Sequence, residues 1–421
     1  MKKITQTSIS AAIVVLLLLS GNSMRAQSGG LGSNDKGFPV TTAVPFLRIA
    51  PDARSGGMGE VGIALQPDSI NDPNGTFHNP AKVAFNTRPL GISVSYTPWL
   101  RQLVNDIYLA HLSAYYKIDK LQAVAMSLRY FSLGQITFTN VQGENTGQFR
   151  PNEFSIDGSY SRILAKGFSA GIGLRFIYSN LATGQTVNGV AISPGIAAAA
   201  DIAFYYNKPI KLKKMKTNLA FGLNLSNIGS KISYTESAEK DFIPMNMGLG
   251  TAWQINIDDH NQITLAVDAN KLMVPTPSTV DADSNGILDY REKSVPAGLF
   301  GSFGDAPNGF KEEMQEFIVQ VGAEYWYDQL FAVRAGYFHE ASNKGGRQFL
   351  TAGLGLRYSV FGLDFSYLIP TTSKRNPLDN TLRFTLVFTF AKLNKGKDEP
   401  PAPVDGTSTS SRMMDYFRRS L

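Results

Sequence analysis

The chain of 421 residues contains no cysteine, few charged residues and, outside its first thirty residues, no long hydrophobic run. The absence of cysteine excludes a disulfide framework, a thiolate nucleophile and a cysteine-linked lipid anchor. The absence of further apolar runs excludes a bundle of transmembrane helices. Charged residues make up 18% of the chain, below the roughly 25% of an average soluble domain. These deficits favour one class of membrane protein, the β-barrel.

The residues that could support chemistry are scattered. A net charge of +6 is spread along the chain, so nucleic acid is not predicted as a partner. The sequence "GFSAG" matches the G-x-S-x-G nucleophile motif, but Ser169 lies in a predicted strand without a following helix. The histidines lack metal-ligand spacing; they are His78, His111, His260 and His339. We therefore predict no catalytic residue and no enzyme, and an outer-membrane hydrolase is the weakest of the interpretations considered.

The N-terminus has the features of a secretory signal peptide. Lys2 and Lys3 precede the apolar run "AAIVVLLLLS", and Ala26 offers a small residue for cleavage before Gln27. A signal-anchor helix is the alternative, but the apolar run is short for a membrane span. The sequence therefore predicts that the mature chain is exported.

From Leu90 onward, apolar and polar residues alternate in segments of about ten residues. In Phe168–Tyr178, the even-numbered positions are apolar, whereas Ser169, Gly171, Gly173 and Arg175 between them are small or polar. About fourteen strands are predicted, an even number as in closed antiparallel barrels. They begin near Leu90, Ile107, Leu121, Glu153, Phe168, Gly195, Thr217, Met245, Asn261, Glu316, Leu330, Gln348, Phe361 and Thr381. A soluble β-sandwich would bury the apolar face equally well.

Two features favour the membrane over the sandwich. The longest connections all follow odd-numbered strands, as expected of outer-membrane barrels with short periplasmic turns and long extracellular loops. One connection after an even-numbered strand, Asn207–Lys216, is predicted to be longer and basic; it is a solvated turn or, alternatively, a docking patch. Charges of both signs lie opposite the apolar face, which predicts a lumen crosslinked by ion pairs; they are Arg129, Arg175, Arg334, Arg357, Arg383, Asp157, Asp201, Asp268, Glu324 and Asp364.

These patterns divide the chain into four predicted parts. Residues 1–26 are the signal peptide, and residues 27–89 are a flexible segment followed by a Gly-rich hatch. Residues 90–390 form the barrel, whose last strand ends in Phe390. Residues 391–421 are polar and Pro-rich, and we expect them to form a periplasmic C-terminal tail.

Two stretches of the hatch resemble a known family. "ARSGGMGEVGIAL" and "FHNPAKVAF" resemble the N-terminal hatch of the FadL-like outer-membrane transporters, whose barrels have fourteen strands. The longer wording "LRIAPDARSGGMGEVGIA" with "NPAKVAF" resembles the PorV branch, from type IX protein secretion. Lys82 departs from the FadL-like pattern, which tends to have glycine there. We interpret Arg54, Gly57, Met58, Gly59, Asn79 and Pro80 as mainly structural, because glycine permits tight turns and Asn-Pro sets a turn.

The resemblance implies an outer-membrane carrier rather than a pore. Such a carrier receives secreted cargo bearing a C-terminal signal domain from an SprA-type translocon barrel. It then delivers the cargo to an attachment complex that includes a PorU-type sortase, and outer-membrane lipid surrounds the barrel. The alternative function is a FadL-like channel for hydrophobic small molecules.

A calcium loop is predicted in the longest connection. "DADSNGILDYRE" follows the twelve-residue pattern in which positions one, three, five, seven, nine and twelve bind the ion. The predicted ligands are Asp281, Asp283, Asn285, the carbonyl of Ile287, Asp289 and Glu292. Gly286 stands where the chain must turn sharply. No flanking helix pair is predicted, so the ion itself would stiffen an extracellular loop.

Overall fold

The computed structural model describes residues 39–69, 71–99, 106–139, 142–187, 189–212, 215–236, 239–372 and 381–390. The predicted signal peptide at 1–26 and the predicted tail at 391–421 lie outside these residues. Within the described part, no helix has both the length and the apolarity needed to cross a membrane.

The described chain contains eighteen strands. They are β1 Leu90–Pro98, β2 Ile107–Lys117, β3 Gln122–Leu133, β4 Ile136–Thr139, β5 Asn145–Phe149, β6 Asn152–Ala165, β7 Phe168–Asn180, β8 Thr186–Val187, β9 Val190–Ala191, β10 Gly195–Leu212, β11 Met215–Gly229, β12 Asn246–Asn256, β13 Asn261–Leu272, β14 Ile318–Tyr327, β15 Phe331–His339, β16 Gln348–Tyr358, β17 Phe361–Pro370 and β18 Leu382–Phe390.

Fourteen of these strands form a closed antiparallel barrel. Its order follows the chain, and β1 pairs with β18 from Leu90 opposite Phe390 to Tyr96 opposite Phe384. Closure pairs the backbone groups that lipid cannot satisfy. The predicted all-β fold of fourteen strands is confirmed, and each predicted strand start lies within two residues of the observed one. The remaining strands form two small hairpins, β4–β5 and β8–β9.

The alternation of residue types determines which face looks outward. In β7, Ile172, Leu174 and Phe176 are exposed on the outer wall, whereas the intervening positions are buried in the lumen. Because side chains point alternately to the two faces of a strand, one sequence pattern produces a lipid-compatible exterior and a polar interior. The buried lumen side chains include all ten charged residues predicted to face inward.

The two ends of the barrel differ in their connections. At one end, called the turn end, consecutive barrel strands are separated by short segments such as 118–121, 166–167 and 359–360. The other end, called the loop end, carries longer segments, including 134–151, 181–194, 230–245 and 273–317. The prediction of a long basic connection over Asn207–Lys216 is wrong. β10 continues to Leu212 and β11 begins at Met215, so most of these residues extend a hairpin.

The longest connection, 273–317, contains helical structure that the sequence did not lead us to expect. Two short helices, α1 Ala53–Gly56 and α2 Gly75–His78, precede the barrel strands. Three more lie within the longest connection: α3 Asp289–Glu292, α4 Val295–Gly301 and α5 Phe310–Gln315. Ser294 caps α4, because its hydroxyl accepts a hydrogen bond from the backbone N–H of Ala297. The helices are too short to be stable alone, so their order depends on tertiary contacts.

The N-terminal segment passes through the barrel lumen. It enters at the loop end, where the N–H of Ala43 donates to the carbonyl of Phe242. It reaches the turn end, where Lys117 Nζ donates to the carbonyl of Ala84. The chain then begins β1. We call the described residues 39–86 of this segment the hatch.

Close packing between the hatch and the wall requires glycine on both sides. Gly59 has a φ of +68°, and a Cβ there would lie 2.7 Å from the carbonyl oxygens of Tyr337 and Val321. A Cβ on Gly336 of the wall would lie 2.1 Å from the Gly59 nitrogen. The Gly-Met-Gly stretch of the sequence therefore allows backbone to approach backbone.

Candidate functional site

The hatch is held in the lumen by buried ion pairs. Arg54 donates two hydrogen bonds to Glu324 on β14, from Nη2 to Oε1 at 2.8 Å and from Nε to Oε2 at 3.0 Å. Arg334 on β15 donates from Nε to the same carboxylate at 2.7 Å. All three side chains are buried. Glu324 therefore carries the negative charge that holds one hatch cation and one wall cation together.

Further ion pairs extend this attachment around the wall. Arg334 also contacts Asp364, with an N–O distance of 2.8 Å. Arg357 joins Asp364 to Asp68 of the hatch, with N–O distances of 2.8 Å to Asp364 and 2.7 Å to Asp68. Arg383 on β18 contacts Glu60 of the hatch at 2.5 Å. Because charges of both signs are paired across the lumen, the prediction of an ion-paired interior is confirmed.

A second group of contacts fixes the hatch to itself. His78 Nε2 lies 2.6 Å from Asp52 Oδ2. Burial raises the pKa of the Asp52 carboxyl, but the charge of His78 and its hydrogen bond outweigh this effect. The pKa of Asp52 consequently lies well below its ordinary value. Lys82 Nζ donates to the carbonyl of Gly62 and pairs with Asp72, both at 2.8 Å. Lysine at this position thus connects three parts of the hatch.

The Asn-Pro-Ala turn of the hatch is bonded to the wall. Asn79 Nδ2 donates to the carbonyls of Ile63 and Phe204 at 3.1 and 3.0 Å. Ser169, the serine of the "GFSAG" match, donates from Oγ to the carbonyl of Ala81 at 2.7 Å. Its side chain is fully buried. Ser169 therefore anchors the hatch, and its position inside β7 lacks the sharp turn that a nucleophile elbow needs.

The space that the hatch leaves in the barrel is divided into separate cavities. A cavity of about 100 Å³ lies between hatch and wall, and polar groups such as His78, Arg175 and Asn224 contribute to its lining. Towards the loop end, Val44, Phe46 and Leu47 of the hatch pack with apolar residues of the wall and loops. The polar and apolar contacts of the hatch therefore occupy the middle of the lumen, while recesses of about 410 and 220 Å³ remain towards the loop end and the turn end.

The predicted calcium residues lie together on the longest connection. The carboxylates of Asp281, Asp283 and Asp289 have oxygen atoms within 4.8 Å of one another. Asn285 Nδ2 lies 2.9 Å from Glu292 Oε1, which brings position twelve next to position five. The residue types and the convergence of their oxygens fit a hard divalent cation such as calcium.

The backbone of this loop turns at Gly286, where the twelve-residue calcium pattern requires a sharp turn. Gly286 has a φ of +84°, and its N–H donates to Asp281 Oδ2 at 3.0 Å. The N–H of Ile287 donates to Asn285 Oδ1 at 2.7 Å. α3 comprises the last four positions of the loop, Asp289–Glu292, while the chain before the loop is not helical. The backbone can therefore form the turn without two flanking helices.

The remainder of the longest connection is fastened to the barrel by buried charges. Lys271 of β13 contacts Glu313 and Glu316, with N–O distances of 2.6 and 2.5 Å. Lys344, from the connection 340–347, contacts Glu312 and Glu316 at 2.5 and 3.0 Å. The acidic residues of α5 and its end are therefore directed into the protein. The sequence did not indicate this cluster, because nothing in it predicts which lysines meet which acids.

The opposite side of these helices presents aromatic residues to solvent. Phe300 of α4 and Phe310 of α5 are 77% and 78% exposed, and Phe303 and Met314 are also exposed. The usual arrangement of a surface helix is thus inverted in α5, with paired acids inside and apolar side chains outside. An exposed apolar cluster of this kind is typical of an interaction surface. We call Phe300, Phe303, Phe310 and Met314 the aromatic patch.

Comparison with known proteins gives one family. The sequence pattern of the family described as "Type IX secretion system protein PorV" matches residues 33–279, more than half of the chain. No curated protein sequence matches the chain.

Solved structures with a similar barrel are distant in sequence. The toluene transporter TodX of Pseudomonas putida has a TM-score of 0.46 and 9% identity, covering 84% of this chain and 98% of that chain. A FadL homologue of Pseudomonas aeruginosa has a TM-score of 0.40 and 11% identity, covering 84% and 99%. CdiB of Acinetobacter baumannii has a TM-score of 0.35 and 11% identity, covering 72% and 61%.

Proposed function

Because this chain belongs to the family of the type IX secretion system protein PorV, we propose that it carries secreted proteins at the outer membrane. As a member of that family it is an outer-membrane β-barrel component of type IX secretion. In the proposed role it receives cargo with a C-terminal signal domain from an SprA-type translocon and passes it to a PorU-type attachment complex. It performs no chemistry on the cargo.

The aromatic patch carries this proposal. Phe300 and Phe310 would lose most of their exposed apolar surface on contact with a protein partner, and aromatic residues of this kind dominate interface energetics. The buried contacts of Lys271 and Lys344 hold α5 in place before binding, which reduces the entropy lost on association. A preformed apolar surface suits a carrier that binds many cargoes through one shared signal domain.

The position of the hatch across the lumen supports carriage outside the barrel rather than passage through it. A FadL-like channel for hydrophobic molecules would need a continuous apolar path. In the described residues, the hatch and ion pairs such as Arg54 with Glu324 occupy that route. We therefore propose that the loop end is extracellular and handles cargo, and that the C-terminal tail is periplasmic.

Purification from native membranes tests the proposal. We expect affinity-tagged protein to retain a very large barrel protein or secreted proteins that share a C-terminal domain. Partners are identified by mass spectrometry after gentle detergent extraction, with an unrelated tagged barrel as the control. Recovery of hydrophobic small molecules alone would favour the channel and contradict the carrier.

We also propose that Asp281–Glu292 binds calcium. The ligands would be the side chains of Asp281, Asp283, Asn285, Asp289 and Glu292 and the carbonyl of Ile287. A bound ion would neutralise several neighbouring carboxylates and restrict the loop. With about 2 mM calcium and a dissociation constant of about 0.2 mM, binding contributes about 1.4 kcal/mol. This is enough to order a loop but small beside the stability of a barrel.

The double substitution Asp281→Ala and Glu292→Ala tests the calcium site. We expect the barrel to assemble normally and the 273–317 connection to become protease-sensitive even with calcium, as the unaltered protein does with a chelator. Calorimetry should detect calcium binding that the double substitution removes. The substitution Glu236→Ala, at an exposed acid of another loop, should change neither result. Proteolysis that is insensitive to chelator would disprove the site.

A further inference from the structure

The outer wall of the barrel contains an apolar groove near the turn end. It measures about 490 Å³ and crosses β7, β10, β11, β12 and β13. Its sides include Phe168, Phe204, Tyr206, Phe221, Leu249 and Val267. Thr251 and Ala269 are small outward-facing residues among these larger neighbours, and Thr251 stands opposite Phe221 and Val267. A concave groove results where a barrel wall would otherwise be evenly covered.

Two lysines stand at the turn-end margin of this groove. Lys208 follows Tyr206 by two positions on β10 and so points to the same face, about 7 Å further along the strand. Lys166 lies in the adjoining turn, where the carbonyl of Gly167 accepts a hydrogen bond from the N–H of Asn207 at 2.7 Å. Both lysines are exposed. Within the described residues, neither makes an ion pair.

The extension of β10 places Lys208 beyond the neighbouring strand. β10 pairs with β7 only as far as Tyr206 opposite Phe168, but with β11 as far as Leu212 opposite Met215. Lys208 therefore lies beyond the end of β7. Exposed Arg162 of β6 adds a third cation on the same side of the groove. The apolar groove thus has the position to contact an acyl chain of a lipid, and the neighbouring cations have the position to contact its phosphate.

We propose that the groove binds one anionic phospholipid, with an acyl chain against Phe204 and Phe221 and its phosphate at Lys166 and Lys208. The headgroup must carry net negative charge, because lysines near a membrane surface attract anionic lipids selectively. Lys208 belongs to the basic stretch that was predicted to be a solvated turn or a docking patch, and in this proposal it contacts a lipid phosphate. The site is separate from the aromatic patch, which lies at the opposite end of the barrel.

Native mass spectrometry of the full chain in detergent tests the proposal. Added phosphatidylglycerol should be retained as one molecule per chain, at least tenfold more strongly than phosphatidylcholine of the same acyl length. Each lysine contributes about fivefold to anionic lipid binding, so Lys166→Gln with Lys208→Gln should weaken retention by about 25-fold. Ala269→Phe should weaken retention of both lipids by filling the groove.

The matched control is Lys120→Gln, which removes an exposed lysine from another turn of the same end. It should leave retention unchanged. Equal retention of the two lipids would overturn the proposal, and so would a loss in the control equal to that in the double variant. Complete displacement by millimolar glycerol 3-phosphate would also overturn it, because the groove would then contribute nothing. Heat-dependent migration on a gel confirms that each variant is folded.

Discussion

The substitution Glu324→Gln is expected to lower markedly the temperature at which the folded barrel unfolds. Glu324 is the shared partner of Arg54 in the hatch and Arg334 in the wall. Removing its charge leaves two buried cations without full compensation. Breaking a buried ion pair by removal of one partner costs about 3–5 kcal/mol. The loss should therefore appear both in barrel stability and in the attachment of the hatch.

Both effects can be measured on purified protein in detergent. Unboiled samples heated in steps report the temperature at which the folded band disappears, and limited proteolysis reports release of the hatch. Asp328→Asn is the matched control, because Asp328 and its partner His260 lie on two neighbouring turns with both side chains exposed, where ion pairs contribute little. Equal unfolding temperatures for Glu324→Gln and the unaltered protein would show that this ion pair does not hold the hatch.

The double substitution Phe300→Ser with Phe310→Ser should abolish most cargo delivery while leaving the barrel intact. Each aromatic is nearly fully exposed in the isolated chain, so its replacement removes no internal packing. At an interface, loss of one such anchor costs on the order of 2 kcal/mol. Two losses would reduce partner binding by several hundredfold or more if they act independently. Secretion is measured in a strain whose only copy of the gene encodes the variant.

The control for this pair is Tyr358→Ser. Tyr358 is 78% exposed, as Phe310 is, but it lies at the turn end of the barrel. Its replacement removes similar apolar surface from the opposite end and should leave secretion intact. Normal secretion by the Phe300 and Phe310 double variant would contradict the role of the aromatic patch. An equal defect in the Tyr358 variant would show that general loss of surface aromatics, not the patch, is responsible.

The sequence was most informative where one physical requirement governs many residues. Each barrel strand must present apolar residues to lipid and small or polar residues to the lumen, and this period of two is visible in β7 and β18 without a structure. The same alternation identified Glu324 and Arg334 as inward-facing. It could not indicate that Arg54 and Arg334 share the carboxylate of Glu324, because Arg54 and Glu324 are 270 positions apart.

The sequence was less informative where long-range contacts override local composition. Asn207–Lys216 contains proline and many lysines, which suggested a connection, yet pairing with β11 extends the strand through it. α5 was missed because its stability depends on the contacts of Lys271 and Lys344 rather than on an apolar stripe. The exposure of Phe310 on α5 follows from that anchoring and was therefore also missed. The predicted ligand positions of the proposed calcium loop, by contrast, depend on local spacing alone.

Fractionation of a strain that lacks the gene tests the carrier function most directly. Surface, outer-membrane and periplasmic fractions are probed for proteins that bear the C-terminal signal domain, and uptake of a hydrophobic nutrient is measured in the same cells. We expect these proteins to remain within the cell envelope while uptake is unchanged, and the intact gene to restore their delivery. Normal delivery to the surface combined with failed uptake would contradict the carrier function.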